Sequence, residues 1–341
     1  MKISSKVTGL LALMALLLTV GCKNNGVPTT NDTKVDGSSS VTTASTVDQN
    51  SNSDKNSEID NEGGKKESKW VSGMGPSRGH EDLERFAIAM ANKMINEKSL
   101  NQKYLLPEAV DGDSGRSTKN PLVKGNYSTD WPNDDMLERY GYGVSKNTRA
   151  YQDDPKLMHN HGLRDIINGS ALSTKEACTS IKNAIIKNTK YALSFAGKDN
   201  SKLLFWLGHV NHIIQDTFAP PHAVRKENDP HRFVDICTYG TKVKGVCEHG
   251  SPIDLDDVIW MTSFSCSLTF KRPFECLTDL AKVAVNATAG HLIATTEIMQ
   301  EIESSRNITK EQKNRIVEDR LEQYFELDID DFNGYFDCST L

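Results

Sequence analysis

The stretch that most constrains this chain is Phe205–His222, which reads FWLGHVNHIIQDTFAPPH. Its apolar residues Phe205, Trp206, Leu207, Val210, Ile213 and Ile214 recur at helical spacing, and Pro220 and Pro221 break the run. His212 and Asp216 are four residues apart, so on a helix they share one face at about 6 Å. His222 follows just past the break. A ligand pair on one helix, with a further ligand beyond its end, is how many zinc hydrolases build their sites. The competing reading is an amphipathic core helix whose polar residues merely point outward. His-x3-Asp-x5-His, with His231 and Asp235 as a second His-x3-Asp close behind, favours metal binding.

The flanking sequence is mostly helical in pattern. From His80 the run HEDLERFAIAMANKMINEK places Leu83, Phe86, Ala87, Met90, Ala91 and Met94 at helical spacing. Ser99–Asp154 reads as irregular, rich in Asp, Gly, Asn and Tyr, and such long segments inside a domain usually serve function. It holds Asp130 in GNYSTDWPND and leads to His159 and His161 in MHNHG. Ser173 caps an expected helix reaching about Ala196, and the Ser201–Phe218 helix follows. A short turn then carries His231–Asp235. Further helices are expected from Leu277 to Ser304 and from Lys310 to Phe325. Strand-like alternation is scarce, so the expected fold is all-α, a multi-helix bundle with long loops around the site.

The chain opens on a targeting segment. Lys2 and Lys6 precede the apolar Leu10–Leu18, and Thr19-Val20-Gly21 stand before Cys22. Residues 1–22 thus read as a lipoprotein-type signal peptide, cleaved before a lipidated Cys22. The apolar run is too short to span a bilayer. Residues 23–69 contain no aromatic and little apolar surface to offset conformational entropy, so they read as a disordered tether or propeptide. Residues 70–341 are long enough for one domain with its own core.

Net charge is −6, and no basic stripe interleaved with aromatics occurs, so duplex nucleic acid is not an expected partner. A nuclease is not excluded on that ground, because metal ions can supply positive charge. Beyond Cys22 lie Cys178, Cys237, Cys247, Cys266, Cys276 and Cys338. In an exported chain an even count suggests disulfides, and Cys237–Cys247 and Cys266–Cys276 are the expected pairs because each closes a short loop.

The candidate ligands are His80, Asp130, His161 (with His159 in reserve), His212, Asp216, His222, His231 and Asp235. Imidazole and carboxylate without thiolate is the ligand chemistry of catalytic zinc. Eight ligands exceed one ion and suggest a cluster. His209 shares the helix but reads as a supporting residue; His249 and His291 read as surface or helix residues.

FWLGHVNHIIQDTFAPPHA followed by HRFVD resembles the bacterial zinc-dependent phospholipase C family and, more distantly, the fungal and plant P1/S1 nucleases. The resemblance covers Trp70 to the last helices. It implies an α-helical bundle with three zinc ions in a cleft. One zinc would lie on Asp130, His161, His212 and Asp216, and a second on His222, His231 and Asp235. A third would lie on His80, Asp216 and the amino group of Trp70 as mature N-terminus. Three departures stand out: Gln215 where the family usually has Gly, Gly162 where it has an aromatic, and Asp235 where the phospholipases more often have Glu. The short His222–His231 spacing lacks the insertion typical of the nucleases.

The implied activity is hydrolysis of a phosphatidylcholine-like phosphodiester to diacylglycerol and a phosphorylated headgroup, by a zinc-activated water that Asp130 orients or deprotonates. Trp131 would stack on a choline-type cation. The implied partner is a phospholipid or membrane surface, and the protein is expected to be a monomer. Two alternatives stay open: a zinc nuclease acting on single-stranded nucleic acid, and a non-catalytic lipid-anchored protein with a structural metal site. A terminal amine at Trp70 requires cleavage after Lys69, which would leave the lipid on Cys22 behind. The chain is therefore expected to be an exported cell-envelope lipoprotein, either released by cleavage before Trp70 or permanently anchored with a weak third zinc site.

Overall fold

Helix starts follow the caps written into the sequence. Asn120, Asn133, Ser173, Asp199 and Thr278 each accept a backbone N–H from the first turn of the helix they precede, and each such cap contributes about 1 kcal/mol. Ser173 and Glu176 close a full capping box. The computed structural model describes residues 79–110, 115–143, 148–239, 246–249, 273–305, 307–326, 336, 338 and 341, with backbone alone at 148, 149, 231, 248 and 249. All of these fall within one unit, Glu62–Leu341.

The helices among the described residues are α1 (Gly79–Glu97), α2 (Pro121–Asp130), α3 (Asp134–Arg139), α4 (Thr148–Gln152), α5 (Thr174–Leu193), α6 (Asn200–Asp216), α7 (Asp279–Ser304) and α8 (Lys310–Glu326). Three antiparallel or parallel ladders of two strands complete them: β1 (Ile166–Ile167) with β2 (Ser170–Ala171), β3 (Ala223–Lys226) with β4 (Asp229–Ile236), and β5 (Thr238–Tyr239) with β6 (Glu248–His249). The described residues are mostly helical, as expected, and α1, α5, α6, α7 and α8 match the expected runs to within a few residues. No described helix is long and apolar enough to cross a membrane.

Two expectations need correction. Ser99–Asp154 is not irregular, since it contains α2, α3 and α4. Asn120 capping with Pro121 at the first helical position is a start signal for α2. Its hydrophobic periodicity is weak because the face it buries includes Gly125, Asn126, Ser128 and Thr129. His231–Asp235 lies in strand β4 and not in a turn. There Phe233 is buried between exposed Arg232 and Val234, which is the period-two alternation of a strand. A register shift between Val224↔Asp235 and Arg225↔Phe233 bulges the ladder.

Helix α6 is the axle of the fold. Every residue from Leu203 to Asp216 is buried, as befits a helix enclosed on all sides. It packs on α1, α2, α5, α7 and the 3-10 turn Met158–His161, while α1 and α8 flank α7. The α2–α6 crossing is closest of all. A Cβ on Gly125 would sit 1.8 Å from the Phe205 carbonyl oxygen, and one on Gly208 would sit 2.0 Å from the Leu122 carbonyl oxygen. Only glycine permits that approach.

Two disulfides are described, Cys178–Cys338 and Cys237–Cys247. The second was expected from its short loop; the first joins residues 160 apart, which no loop-length rule suggests. Cys276 is disulfide-bonded as well, whereas Cys266, its expected partner, lies outside the described residues. So do Cys22 and Trp70.

Candidate metal centre

The site forms where several elements end. His80 is the second residue of α1, Asp130 the last of α2, His161 the last of the Met158–His161 turn, and Asp216 the last of α6, with His212 one turn earlier. His222 follows the proline break. His212 Nε2 lies 3.2 Å from Asp130 Oδ1 and 3.1 Å from Asp216 Oδ2. His80 Nε2 lies 3.1 Å from Asp216 Oδ1. His161 Nδ1 stands 3.7 Å from both Asp130 Oδ1 and Asp216 Oδ2, and His222 Nδ1 stands 3.7 Å from Asp216 Oδ1. Two groups of three, His80–Asp130–His212 and His161–His212–Asp216, each bring a set of ligand atoms within 4.8 Å of one another.

This donor set suits a cation. Among the buried side-chain atoms without a hydrogen bond are His161 Nε2, His212 Nε2 and Asp216 Oδ2, and each such orphan costs about 1–3 kcal/mol if nothing satisfies it. His212 Nδ1 lies 3.4 Å from the side-chain oxygen of Asn126. A proton on Nδ1 leaves Nε2 a lone pair aimed at two carboxylates. Lone pair against carboxylate is repulsive unless a cation sits between them. His80 repeats the arrangement, with Nδ1 3.0 Å from Gln215 Oε1. His222 Nδ1 donates to the His161 carbonyl oxygen at 2.6 Å.

Electrostatics point the same way. Burial alone would raise both carboxylates, but His212 and His80 hold Asp130 below the usual range, and His222, His212 and His80 hold Asp216 well below it. Burial would lower His212, yet Asp216 and Asp130 raise it well above its ordinary value. These buried His and Asp groups can hold a metal ion, with binding coupled to the loss of protons from the imidazoles.

The structure brings together six of the expected ligands: His80, Asp130, His161, His212, Asp216 and His222. His159 is turned away, its Nδ1 2.8 Å from Asp165 Oδ2. Gly162, at φ 61°, ends the turn, and a Cβ there would stand 3.1 Å from the Asp216 Cβ and 3.0 Å from the Thr217 nitrogen. The aromatic of the resembled family has no room at this position. Asp235 does not join either group. Its Oδ1 pairs with Arg164, accepts from Thr174 Oγ1 at 3.0 Å and accepts the Ile236 N–H at 2.9 Å. The side chains of His231 and His249 lie outside the described residues. Trp131, beside Asp130, is exposed.

His209 sits between Thr129 Oγ1 and the Tyr140 hydroxyl, each at 2.8 Å, and burial together with the charges of His212 and His161 keeps it neutral. Of the two places expected for His291, surface or helix, it takes the helix. It is buried in α7, hydrogen-bonded to Asn211 and Thr189. Sequence reasoning missed a second layer one turn from the ligands. Glu84, Asn126, Asn211 and Gln215 are all buried, and each belongs to a helix that also carries a ligand. Burial pushes Glu84 up to about 7 despite hydrogen bonds from Asn211, Asn126 and Gln215. Glu81, also raised to about 7 by burial, accepts the Gly115 N–H at 3.3 Å. The available signal was spacing: His80/Glu84, Asn126/Asp130 and Asn211/Gln215 are i,i+4 polar pairs on enclosed helices.

No protein-family model matches the chain, and no curated protein or solved structure matches it either.

Proposed function

We propose that this chain is a zinc-dependent phosphodiesterase of the phospholipase C type, hydrolysing a phospholipid headgroup ester. The observation that carries this reading is the convergence of His80, Asp130, His161, His212, Asp216 and His222. They come from five separate segments, with His–Asp separations of 3.1–3.7 Å. Imidazole and carboxylate ligands, without thiolate, suit zinc. Asp216 would contribute to two ions; a third, which the resemblance implies on His222, His231 and Asp235, would lack Asp235, because that carboxylate pairs with Arg164. Bound zinc supplies Lewis acidity, neutralising a phosphodiester's charge and lowering the pKa of water toward about 7.

The chain's own groups divide the remaining work. His212 and Asp216 are fully enclosed, whereas the Asp130 side chain is 23% exposed, so Asp130 is the carboxylate that can meet solvent and substrate. It would orient the attacking water or take its proton. Tyr151, buried with its ring 6.1 Å from that of His161, shields the inner side from bulk water. Exposed Trp131 offers a face to a choline-type cation. The disulfides support an exported, oxidising setting, consistent with a lipoprotein leader and a membrane-surface substrate.

The test is direct. Purified protein is assayed on phosphatidylcholine vesicles and on single-stranded DNA, with zinc content measured per chain. Diacylglycerol release that a chelator abolishes supports the proposal. DNA cleavage without lipid turnover replaces it with the nuclease, and fewer than two zinc ions with neither activity replaces it with a non-catalytic metal protein.

A further inference from the structure

Glu84 is one turn below His80 on α1 and makes no contact with a candidate ligand among its hydrogen bonds. It accepts instead from three amides: Asn211 Nδ2 at 2.7 Å, Asn126 Nδ2 at 3.0 Å and Gln215 Nε2 at 3.1 Å. Above about pH 7 Glu84 is ionised and only accepts, so each amide must turn its NH2 end toward it. Each then turns its oxygen away, and every one of those oxygens faces a histidine Nδ1. Gln215 Oε1 meets His80 at 3.0 Å, Asn126 Oδ1 meets His212 at 3.4 Å, and Asn211 Oδ1 meets His291 at 2.8 Å. An amide oxygen cannot donate, so the imidazole must, and the proton is held on Nδ1.

We infer that Glu84 is a positioning residue that sets the tautomer of three histidines at once through a layer of oriented amides. For His80 and His212 the consequence is an Nε2 lone pair presented to Asp216 and Asp130, where an ion would sit. For His291, which is not a candidate ligand, the consequence is an Nε2 that accepts from Thr189 Oγ1 at 2.9 Å. The effect on metal rests on the metal-centre reading above; the effect on tautomers does not.

The two are separated by measuring both in the full chain. Long-range 1H–15N correlation on metal-free protein reports which ring nitrogen of His80 and His291 carries the proton. Competition with a chromophoric chelator reports zinc affinity. Wild type is expected to show a protonated Nδ1 at both residues, with or without a second proton on His80 Nε2 facing Asp216. Glu84→Met offers no acceptor to the amides, so mixed tautomers are expected at His80 and His291, with zinc bound about 10- to 100-fold more weakly. Glu84→Gln keeps the size of the side chain but turns an NH2 toward either Asn126 and Gln215 or Asn211, so at least one amide must flip and the Nδ1 proton is expected to be lost in part at His80 or at His291. A fully protonated Nδ1 at both residues in Glu84→Met overturns the inference; should Glu84→Met not fold, the same result in Glu84→Gln overturns it. Wild type that binds no zinc overturns the metal reading, while the tautomer result still stands on its own.

Discussion

Substituting Gly208 by alanine tests whether the α2–α6 crossing sets the geometry of the site. The added Cβ would lie 2.0 Å from the Leu122 carbonyl oxygen, and an ordinary carbon–oxygen contact is about 3.4 Å, so the helices must part by about 1.4 Å. The obstacle is backbone, which no rotamer change can move aside. Overpacking of this kind costs about 1–3 kcal/mol. The separation also reaches the site, because α2 carries Asp130 and Asn126 while α6 carries His212 and Asp216. Widening by even 1 Å opens His212 Nε2–Asp130 Oδ1 from 3.2 Å toward the second coordination distance, and displacements of about 1 Å commonly cost about 100-fold in activity. Urea denaturation of metal-free protein and zinc competition on the same sample read the two effects. Gly208→Ala is expected to lower stability by at least about 1 kcal/mol and zinc affinity at least tenfold. Wild-type values in both assays would refute the claim that glycine at this crossing positions the ligands.

Asp216→Asn removes the anion that His80, His212 and His222 face, so zinc analysis is expected to show at least one ion lost per chain and turnover to fall by about 100-fold or more. Unchanged zinc content would contradict its bridging role. His291 is neutral when folded, with its pKa lowered by burial from 6.5 to about 3. The folded state therefore binds fewer protons than the unfolded one between those values, so its contribution is complete above pH 6.5 and shrinks as pH falls toward 3. At pH 5 the loss amounts to about 2 kcal/mol. Glu84, raised to about 7, acts in the opposite sense. The expected result is accordingly a difference: on going from pH 7 to 5, His291→Gln should gain about 2 kcal/mol relative to wild type in urea titrations. Parallel pH profiles for the two would contradict it. A chelator should lower the melting temperature of zinc-loaded protein, because an ion bound only by the folded state stabilises it in proportion to the logarithm of its free concentration; an unchanged melting temperature would argue against a site built from segments as far apart as His80 and His222.

Much of this was legible in the chain because candidate ligands announce themselves. His212 and Asp216 are i,i+4 on an apolar helix, and that helix formed within two residues of the expected bounds. His161 and Asp130 were identifiable as polar residues in short distinctive segments. The helix beneath Asp130 was not, because α2 buries glycine, asparagine, serine and threonine where a periodicity search looks for leucine. Gln215 looked like a tolerated replacement for glycine, yet it bonds both His80 and Glu84. Asp235 looked like a ligand by spacing, and its partner Arg164 lies 71 residues earlier, a pairing that only tertiary structure creates. Local spacing reveals groups that share an element, whereas amide layers and long-range ion pairs are properties of the assembled fold.

The disulfide between Cys178 and Cys338 has a bearing on proteolysis. Between those cysteines lie α6, with His212 and Asp216, and the post-helix His222. A protease that cuts once between residues 178 and 338, outside the loops closed by other disulfides, yields two pieces that remain one covalent molecule. Such a nick changes the mass on a reducing gel but not on a non-reducing one. Scission of the chain and loss of the six-residue cluster thereby become separate events.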